Sequence, residues 1–505
     1  MMYSLILATT LNIHPFDLVR VEDPNFPNAD AVSETGAVLL EPPPPGTKWT
    51  FEAVAHTDGW VAKEAFEAMN ITPWHEAGAT GSGVKIAVFD VAWFGSHTYP
   101  EELGPVSTHD CYNDPTCNLP LDTEARFSFE TGIHGYACAE VIHDLAPDAE
   151  LYLVRTNGFT AFENAVNWAI GERIDLISMS LSFFNNSFYD GTGPFGPLVD
   201  KLAAHNILLV TSAGNYAEGH WKGQYHDGDQ DGRMDFDGAN GLYVHLGSGD
   251  NKRIYLNWNQ HYTCGQSDLD LFVFDSATKG DRTIVGSSAD LQDAEGDHCQ
   301  PVERTSMTIT RDDWYWLEVH HKAGSMSFVD VDIHVRDGSL HEPIRQGSIT
   351  EPAVHSRAFA VAAVRADGYL HNNVEGFSSW GAFGSFKPDI AGPDGLSTAA
   401  YGAVGFYGTS ASTPAVTGLI AVVMSDDRTL SPREAANRVQ AWALNDEPLF
   451  SHPDTRWGAG KARLPLREPR EVGCGRRPLI MPLFLVPLGF LRRRGGTFKG
   501  RPGIT

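Results

Sequence analysis

The sequence predicts an α/β protein in which a parallel sheet is flanked by helices and interrupted by an inserted all-β sandwich. Short apolar runs at 84–89 and 151–154 are typical of buried parallel strands. Apolar residues recur at helical spacing over 162–170, and strands and helices continue to alternate as far as residue 210. Because sites in such sheets gather at the carboxyl ends of strands, residues that follow the predicted strands are the functional candidates.

The apolar period changes between about 221 and 345. Val329, Val331, Ile333 and Val335 alternate with polar residues, which is the pattern of a half-buried strand. Similar β-rich runs are separated by Gly, Asp and Ser turns, so we expect five to seven short strands in a small β-sandwich. The α/β pattern resumes near 350 with a strand over 358–364, so the sandwich is an insertion.

At 505 residues the chain is too long for one compact core. We divide it into an export segment, pro-region or linker, a first catalytic part, the inserted sandwich, a second catalytic part and a C-terminal sorting or anchor tail. These parts cover residues 1–70, 71–220, 221–345, 346–465 and 466–505.

The chain is strongly acidic, with 64 Asp and Glu against 37 Lys and Arg and a formal net charge of -27. Nucleic acid is excluded as a partner, because its phosphates need a basic face. The charge suits a soluble extracellular protein, which we expect to be a monomer, and leaves carboxylates for calcium.

The six cysteines predict an oxidising compartment. Cys111 and Cys117 bracket a turn-like segment and Cys264 and Cys299 share a later region, so we expect two disulfides. None has C-x-x-C spacing, so a cysteine-held structural zinc is not expected. Cys138 lies in an apolar helical stretch and is expected to be a buried thiol.

Both ends carry features of address signals. Residues 3–11 resemble a signal-peptide core, but no Lys or Arg precedes them, and a disordered or misannotated start explains them equally well. Near the other end, a Gly-Cys-Gly motif at 473–475 precedes an apolar run over 478–491 and three arginines. This order resembles the sorting tails of surface proteins in some Gram-negative bacteria, notably myxobacteria, and predicts transient membrane anchoring; an unstructured tail is the alternative.

The segment GTSASTP at 408–414 places Ser410 before a long apolar helix. A serine there is ordinarily a helix N-cap. Here, small residues on both sides allow another backbone to approach the hydroxyl. The helix N-terminus would also favour negative charge that develops beside it.

Five segments together resemble the subtilisin-like (S8) serine peptidases. GTSASTPAVTG looks like that family's nucleophile motif, IAVFD (86–90) its aspartate strand and HGYACAEVIHDLAPDAELYLVR (134–155) its histidine helix. SAGN (212–215) resembles its oxyanion segment and ISMSLS (177–182) its substrate-side strand. The order Asp, His, Ser is the subtilisin order.

The resemblance implies a role for each matching residue. Ser410 would be the nucleophile, His134 the general base and Asp90 the group that orients the imidazole. Asn215 would donate its side-chain N–H to the oxyanion. Ser180, Leu181 and Ser182 would bind an extended protein or peptide substrate through their backbone, or would simply end a buried strand.

The sequence departs from the family's pattern beside the triad. Val91 and Ala92 follow the aspartate where small hydroxyl and Gly residues are usual, Ala137 replaces a second histidine, and Ser182 replaces a glycine. None of these changes removes a triad or oxyanion group. They put in doubt the support of Asp90 and the shape of the substrate cleft.

An acidic loop predicts a structural calcium ion. Asp227, Asp229 and Asp231 alternate before Gly232, as in the front half of a calcium loop. Position twelve of the loop is a glycine, and Asp235 or Asp237 would take the place of the missing acid. A solvated acidic turn is the alternative. The expected catalysis itself requires no cofactor.

The sequence therefore predicts a bacterial, secreted or cell-surface serine endopeptidase that acts on proteins. The competing interpretation is an inactive binding module with the same fold, whose sandwich contacts polysaccharide or protein. Esterase or peptide ligase chemistry through the same acyl-enzyme stays open.

Overall fold

The computed structural model describes the residues that build the expected catalytic parts and most of the insertion. Described are residues 19–21, 31–33, 36–39, 49–51, 62–93, 102–121, 133–261, 266–278, 280, 282–292, 300–444 and 454–467. Three predictions therefore lie outside them: the signal-like segment 3–11, the Cys264–Cys299 disulfide, and the tail with its Gly-Cys-Gly motif at 473–475 and apolar run over 478–491.

Seven α-helices are found in the described ranges. They are α1 (Lys63–Met69), α2 (Thr72–Glu76), α3 (His134–Leu145), α4 (Gly158–Glu172), α5 (Phe195–Ala204), α6 (Thr409–Asp426) and α7 (Pro432–Trp442). No helix in this part of the chain is long and apolar enough to cross a bilayer.

The N-terminal strands form a small antiparallel sheet of their own, in the order β2-β3-β1-β4. Their bounds are β1 (Val19–Val21), β2 (Ala31–Ser33), β3 (Gly36–Leu39) and β4 (Trp49–Phe51). The segment for which the sequence offered an export segment, pro-region or linker thus contains a four-stranded sheet. Each strand has only three or four residues, too few to show a period.

The strands that carry the site follow in chain order. They are β5 (Lys85–Asp90), β6 (Ser107–Asp110), β7 (Glu150–Arg155), β8 (Leu176–Met179) and β9 (Leu208–Ser212). Alternate residues of β5 face opposite sides: Ile86 and Val88 lie in a core cluster with α3 and α6, whereas Ala87 and Phe89 lie in one with α4 and α5. Both faces of the sheet are therefore covered by helices.

Two antiparallel sheets follow β9 and share one hydrophobic core. Their strands are β10 (His220–Gln224), β11 (Leu242–Leu246), β12 (Gly249–Trp258), β13 (Ser267–Phe274), β14 (Ile284–Ser288), β15 (Val302–Ile309), β16 (Asp313–Gly324), β17 (Asp330–Val335) and β18 (Gly338–Leu340). One sheet has the order β10-β17-β12-β15 and the other β14-β13-β16-β11-β18. Their facing residues, such as Leu256 and Leu271, belong to one buried cluster. The described residues thus contain nine strands, more than the five to seven predicted.

The chain then returns to the parallel sheet. The last strands are β19 (Phe359–Arg365), β20 (Ile390–Asp394), β21 (Leu396–Thr398) and β22 (Gly402–Phe406). The seven-stranded sheet has the order β20-β19-β9-β8-β5-β7-β6, and every neighbouring pair is parallel. The predicted α/β fold with a helix-flanked parallel sheet is confirmed.

Candidate active site

Asp90 and His134 form a hydrogen-bonded pair at the carboxyl end of β5. Asp90 is the last residue of that strand and is fully buried, and His134 is the first residue of α3. The distance from His134 Nδ1 to Asp90 Oδ2 is 2.7 Å. Because a carboxylate only accepts hydrogen bonds, Nδ1 carries the proton, and Nε2 of the neutral ring is the basic nitrogen.

The backbone after β5 supplies the support of Asp90. The N–H groups of Val91 and Ala92 donate to Asp90 Oδ1 at 2.8 and 3.0 Å. Side chains at these two positions do not make these bonds. The unusual residue types at 91 and 92 therefore leave this support of the carboxylate in place.

Gly135 allows α3 to approach Asp90 closely. A Cβ at this position would lie 2.7 Å from Asp90 Cβ, closer than real Cβ atoms come, and 3.0 Å from its Cγ. The Gly135 N–H also donates to the Ala92 carbonyl oxygen at 3.0 Å. The glycine thus sets the spacing between the helix and the strand end.

Ser410 occupies the first turn of α6, where three elements meet. The Ser180 hydroxyl donates to the Ser410 carbonyl oxygen at 3.0 Å, and the Cys138 thiol lies 3.7 Å from the same oxygen. Ser180 directly follows β8, and Cys138 lies on α3 one turn after His134. The contacts at this carbonyl therefore connect Ser410 to α3, which begins at His134, and to the end of β8.

Cys138 is the buried thiol that the sequence predicted. Its sulfur, an Asp90 oxygen and a His134 nitrogen lie within 4.8 Å of one another. Burial, reinforced by the Asp90 carboxylate, raises the pKa of the thiol well above its ordinary value. It stays a neutral packing group beside the pair. Its spacing of four residues from His134 on one helix face is the signal from which this proximity could have been predicted.

Asn215 follows β9 and contacts the residue before Ser410. Its Oδ1 accepts hydrogen bonds from the Thr409 backbone N–H at 3.0 Å and from the Thr409 hydroxyl at 2.9 Å. A backbone N–H only donates, so the amide oxygen faces Thr409 and Nδ2 points elsewhere. A Cβ at Gly408 would lie 2.9 Å from Nδ2, so position 408 must lack a side chain.

Asp394, at the end of β20, is a site residue that the sequence did not reveal. Its Oδ2 accepts the Gly408 N–H at 2.9 Å, and the side chain is fully buried. Burial raises the pKa of Asp394 to about 6. No strand was predicted over 390–394, so nothing in the sequence marked Asp394 as the end of one.

The expected substrate strand lies beside these groups. Leu181 and Ser182 make no backbone–backbone hydrogen bond to another described residue, whereas the next N–H, that of Phe183, donates to the Glu351 carbonyl oxygen at 3.0 Å. The side chain of Ser180 is already engaged with Ser410. Recognition by this segment would therefore use backbone groups at 181 and 182.

The other predicted sites lie away from these residues. A disulfide joins Cys111 and Cys117 just after β6. Oxygens of Asp227, Asp229 and Asp231 lie within 4.8 Å of one another in the acidic loop. Asp235 is outside this group, and its Oδ2 accepts the Gly228 N–H at 2.7 Å.

The architecture places the chain among α/β proteins of the subtilisin-like fold, with extra all-β sheets. The solved CspB protease of Clostridium perfringens has this fold: the two align with a TM-score of 0.53 and 15% identity over 79% of this chain and 97% of that one. The Subtilase family model matches residues 81–246 and 341–470, more than half of the chain. The chain belongs to the subtilase family.

Curated relatives match a smaller part. The human membrane-bound transcription factor site-1 protease is 28% identical over 161 residues, which are 31% of this chain and 14% of that protein. The minor extracellular protease Epr of Bacillus subtilis is 26% identical over 186 residues, 32% of this chain and 25% of that protein. Subtilisin E of the same species is 27% identical over 162 residues, 28% of this chain and 36% of that protein.

Proposed function

We propose that this chain is a serine endopeptidase that hydrolyses peptide bonds in proteins through Ser410, His134 and Asp90. The observation that carries the proposal is the buried Asp90 carboxylate bound to His134 Nδ1 at 2.7 Å, beside the helix that begins at Thr409. Membership of the subtilase family supports it.

Each group has a definite part in the proposed acyl transfer. His134 Nε2 takes the proton from the Ser410 hydroxyl as the oxygen attacks the carbonyl carbon, and returns it to the leaving amine. Asp90 stabilises the imidazolium that forms in between. Asn215 Nδ2 and the Ser410 N–H donate to the oxyanion at the N-terminus of α6. Water then releases the acyl group by the same proton path.

Ser410 can be tested against a serine of the same helix. A fluorophosphonate probe should label the wild-type chain, freed of any pro-segment, and should not label Ser410→Ala. Ser412→Ala is the matched control, because the Ser412 hydroxyl is buried and makes no hydrogen bond within the described residues. It should be labelled like the wild type. Labelling that survives in folded Ser410→Ala would refute the nucleophile.

If the chain is instead an inactive binding module, the probe should form no adduct on folded wild-type protein. Esterase or ligase chemistry would label Ser410 but leave proteins uncut. Mass spectrometry of a protein substrate after incubation distinguishes the endopeptidase from both alternatives. Only an endopeptidase creates new internal N-termini, and these should be absent with Ser410→Ala.

We further propose that the chain is a bacterial protein that acts outside the cytoplasm, secreted or held at the cell surface by its tail. The Cys111–Cys117 disulfide supports this, because such bonds persist in oxidising compartments. The extracellular relatives of the family agree with it. Fractionation of the native host should recover the chain outside the cytoplasm.

A structural calcium ion in the acidic loop is also proposed. Asp227 accepts the backbone N–H groups of Asp231 and Gly232, both at 3.1 Å, and so folds the loop around the three carboxylates. Hard oxygen ligands of this kind suit Ca²⁺. Chelation should lower the thermal midpoint of the wild type but not that of Asp229→Asn. Equal midpoints with and without free Ca²⁺ would favour the solvated acidic turn.

A further inference from the structure

Three polar side chains with metal-binding atoms are buried together where the inserted sheets begin. His220 opens β10, and its partner across the antiparallel pair is His334 of β17, with Asp332 two residues away on the same face. All three side chains are at most 1% exposed. One nitrogen of each ring and one Asp332 oxygen lie within 4.8 Å of one another.

Each imidazole lies between two oxygen acceptors. His220 Nδ1 contacts the Ile344 carbonyl oxygen, and its Nε2 is 3.4 Å from Asp332 Oδ2. His334 Nε2 is 3.3 Å from the Ser348 carbonyl oxygen, and its Nδ1 is 2.8 Å from Asp332 Oδ1. A neutral imidazole has only one N–H, so in each ring one nitrogen lone pair faces an oxygen. Such a contact needs a proton or a metal ion between the atoms.

One carboxylate oxygen of the cluster is left without a hydrogen bond. Asp332 Oδ1 has no hydrogen-bond partner within the described residues, although it is buried and only 2.8 Å from a ring nitrogen. An unsatisfied buried carboxylate oxygen is costly. A cation bound between Asp332 Oδ1 and the ring nitrogen would satisfy this oxygen.

We propose that His220 Nε2, His334 Nδ1 and Asp332 Oδ1 bind a Zn²⁺ ion. Two imidazoles and one carboxylate are a donor set that zinc accepts. The other nitrogen of each ring is held by a backbone carbonyl, which is how metal-binding histidines are usually oriented. The three ligands come from two paired strands, so their spacing is set by the sheet.

Lys222 modulates this site. Its ammonium is 3.0 Å from Asp332 Oδ2 and 3.4 Å from the Phe188 carbonyl oxygen, and its side chain is about one-quarter exposed. It occupies the oxygen that the metal does not use. Its positive charge repels the ion and weakens the affinity of the site.

The bound ion links β10 and β17 to the segment between β18 and β19. Ile344 and Ser348, whose carbonyls hold the two rings, lie between β18 and β19, and the Ser348 hydroxyl accepts the Trp380 N–H at 2.9 Å. Tyr216, the neighbour of Asn215, packs edge-on to His334 with the ring centroids 5.9 Å apart. The role that follows is structural.

Zinc titration of the full chain tests the site. Protein stripped with a chelator should bind one Zn²⁺ through His220 and His334, shown by calorimetry and by imidazole scattering in zinc X-ray absorption spectra, and its thermal midpoint should rise. His334→Gln should weaken binding by at least about 10-fold. Lys222→Gln should strengthen it by about 10-fold, because the competing charge is removed.

Controls separate this site from other parts of the chain. Asp229→Asn in the acidic loop and His205→Gln, an exposed histidine outside both clusters, should bind zinc like the wild type. Loss of the ion in Asp229→Asn would place it in the acidic loop and overturn the proposal. Absence of zinc binding by both the wild type and Lys222→Gln would overturn it too, even if His334→Gln fails to fold.

Discussion

The side-chain amide of Asn215 is oriented by Thr409, the residue that precedes Ser410. Both donors of Thr409 bind Asn215 Oδ1, which turns Nδ2 toward Gly408. The Thr409 hydroxyl also accepts the Gly214 N–H at 3.2 Å. The same threonine thus orients the amide that we propose as oxyanion donor and directly precedes the proposed nucleophile.

Asn215→Asp should therefore test the Nδ2 donor separately from the hydrogen bonds that the side-chain oxygen accepts from Thr409. The substitution keeps an oxygen for Thr409 but loses the N–H donor. We expect kcat to fall by about 10²–10³-fold with little change in KM, because this donor binds only the developing oxyanion. Steady-state kinetics on a peptide substrate provide the measurement. Asn157→Ala, an exposed asparagine before α4, is the control, and an unchanged kcat in Asn215→Asp would make Asn215 a turn residue only.

At the scale of elements, the position of α3 against β5 decides how Asp90 and His134 meet. Gly135 allows the contact at the start of the helix. At its other end Leu145 meets Gly418 of α6, where a Cβ would come within 2.8 Å of the leucine Cβ. Helix α3 is therefore held between the sheet and α6 by close approaches at two glycines.

Gly135→Ala should move the helix away from Asp90. A methyl group 2.7 Å from Asp90 Cβ must displace the carboxylate or the helix, and such a shift of the pair should lower kcat by about 10²-fold. Gly171→Ala on α4 is the matched control, because nothing lies within 4 Å of its Cβ and helix propensity favours alanine. Equal kcat in the two folded variants would show that this spacing is unimportant.

Helix α3 also carries a buried acid that couples stability to pH. Glu140 accepts the backbone N–H groups of Ala399 and Ala400 at 2.8 and 3.2 Å, and burial raises the pKa of its carboxyl from 4.5 to about 8. Between these two values the folded chain keeps a proton that the unfolded chain releases. Below pH 4.5 both states hold the proton, and above about 8 both have lost it.

The free energy of unfolding should consequently fall as the pH rises from 4.5 to about 8, by at most ~1.4 kcal/mol per pH unit from this group. Glu140→Gln cannot ionise, so its stability should depend less steeply on pH in this window. Urea unfolding at pH 5, 6.5 and 8 measures the difference. Glu163→Gln, at an exposed position of α4, should keep the wild-type slope; a parallel slope in Glu140→Gln would contradict the assignment.

Features that depend on neighbouring residues could be predicted from the sequence, whereas contacts between distant segments could not. Strand ends could be predicted because a buried run and the polar residue after it are neighbours in sequence, as for Asp90 and Asn215. The hydrogen bonds from Ser180 to Ser410 and from Gly408 to Asp394 could not be predicted, because they depend on how distant segments pack. The short N-terminal strands had no visible period. The cluster of His220, Asp332 and His334 depends on the register of β10 and β17, which the alternation of apolar and polar residues alone leaves open.

For the whole molecule, the two all-β sheets between β9 and β19 leave the parallel sheet continuous. Strands β9 and β19 lie on either side of them in sequence, yet they pair directly, with Val210 opposite Phe359. The inserted sheets contact the loop after β8 through Phe184, which stacks on Tyr255 of β12 with ring centroids 4.4 Å apart. The same loop follows the substrate segment, so the insertion lies close to the expected cleft.

The net charge of the chain should influence which substrates reach that cleft. With a formal charge of -27, the molecule attracts cationic peptides and repels anionic ones before any specific contact forms. We expect kcat/KM at low ionic strength to be about tenfold or more higher for a peptide with distal lysines than for its glutamate counterpart. The difference should vanish near 1 M salt, where the Debye length is about 3 Å. An uncharged peptide with the same scissile bond controls for general salt effects. If all three peptides respond alike to salt, contacts within the cleft and not the overall field select the substrate.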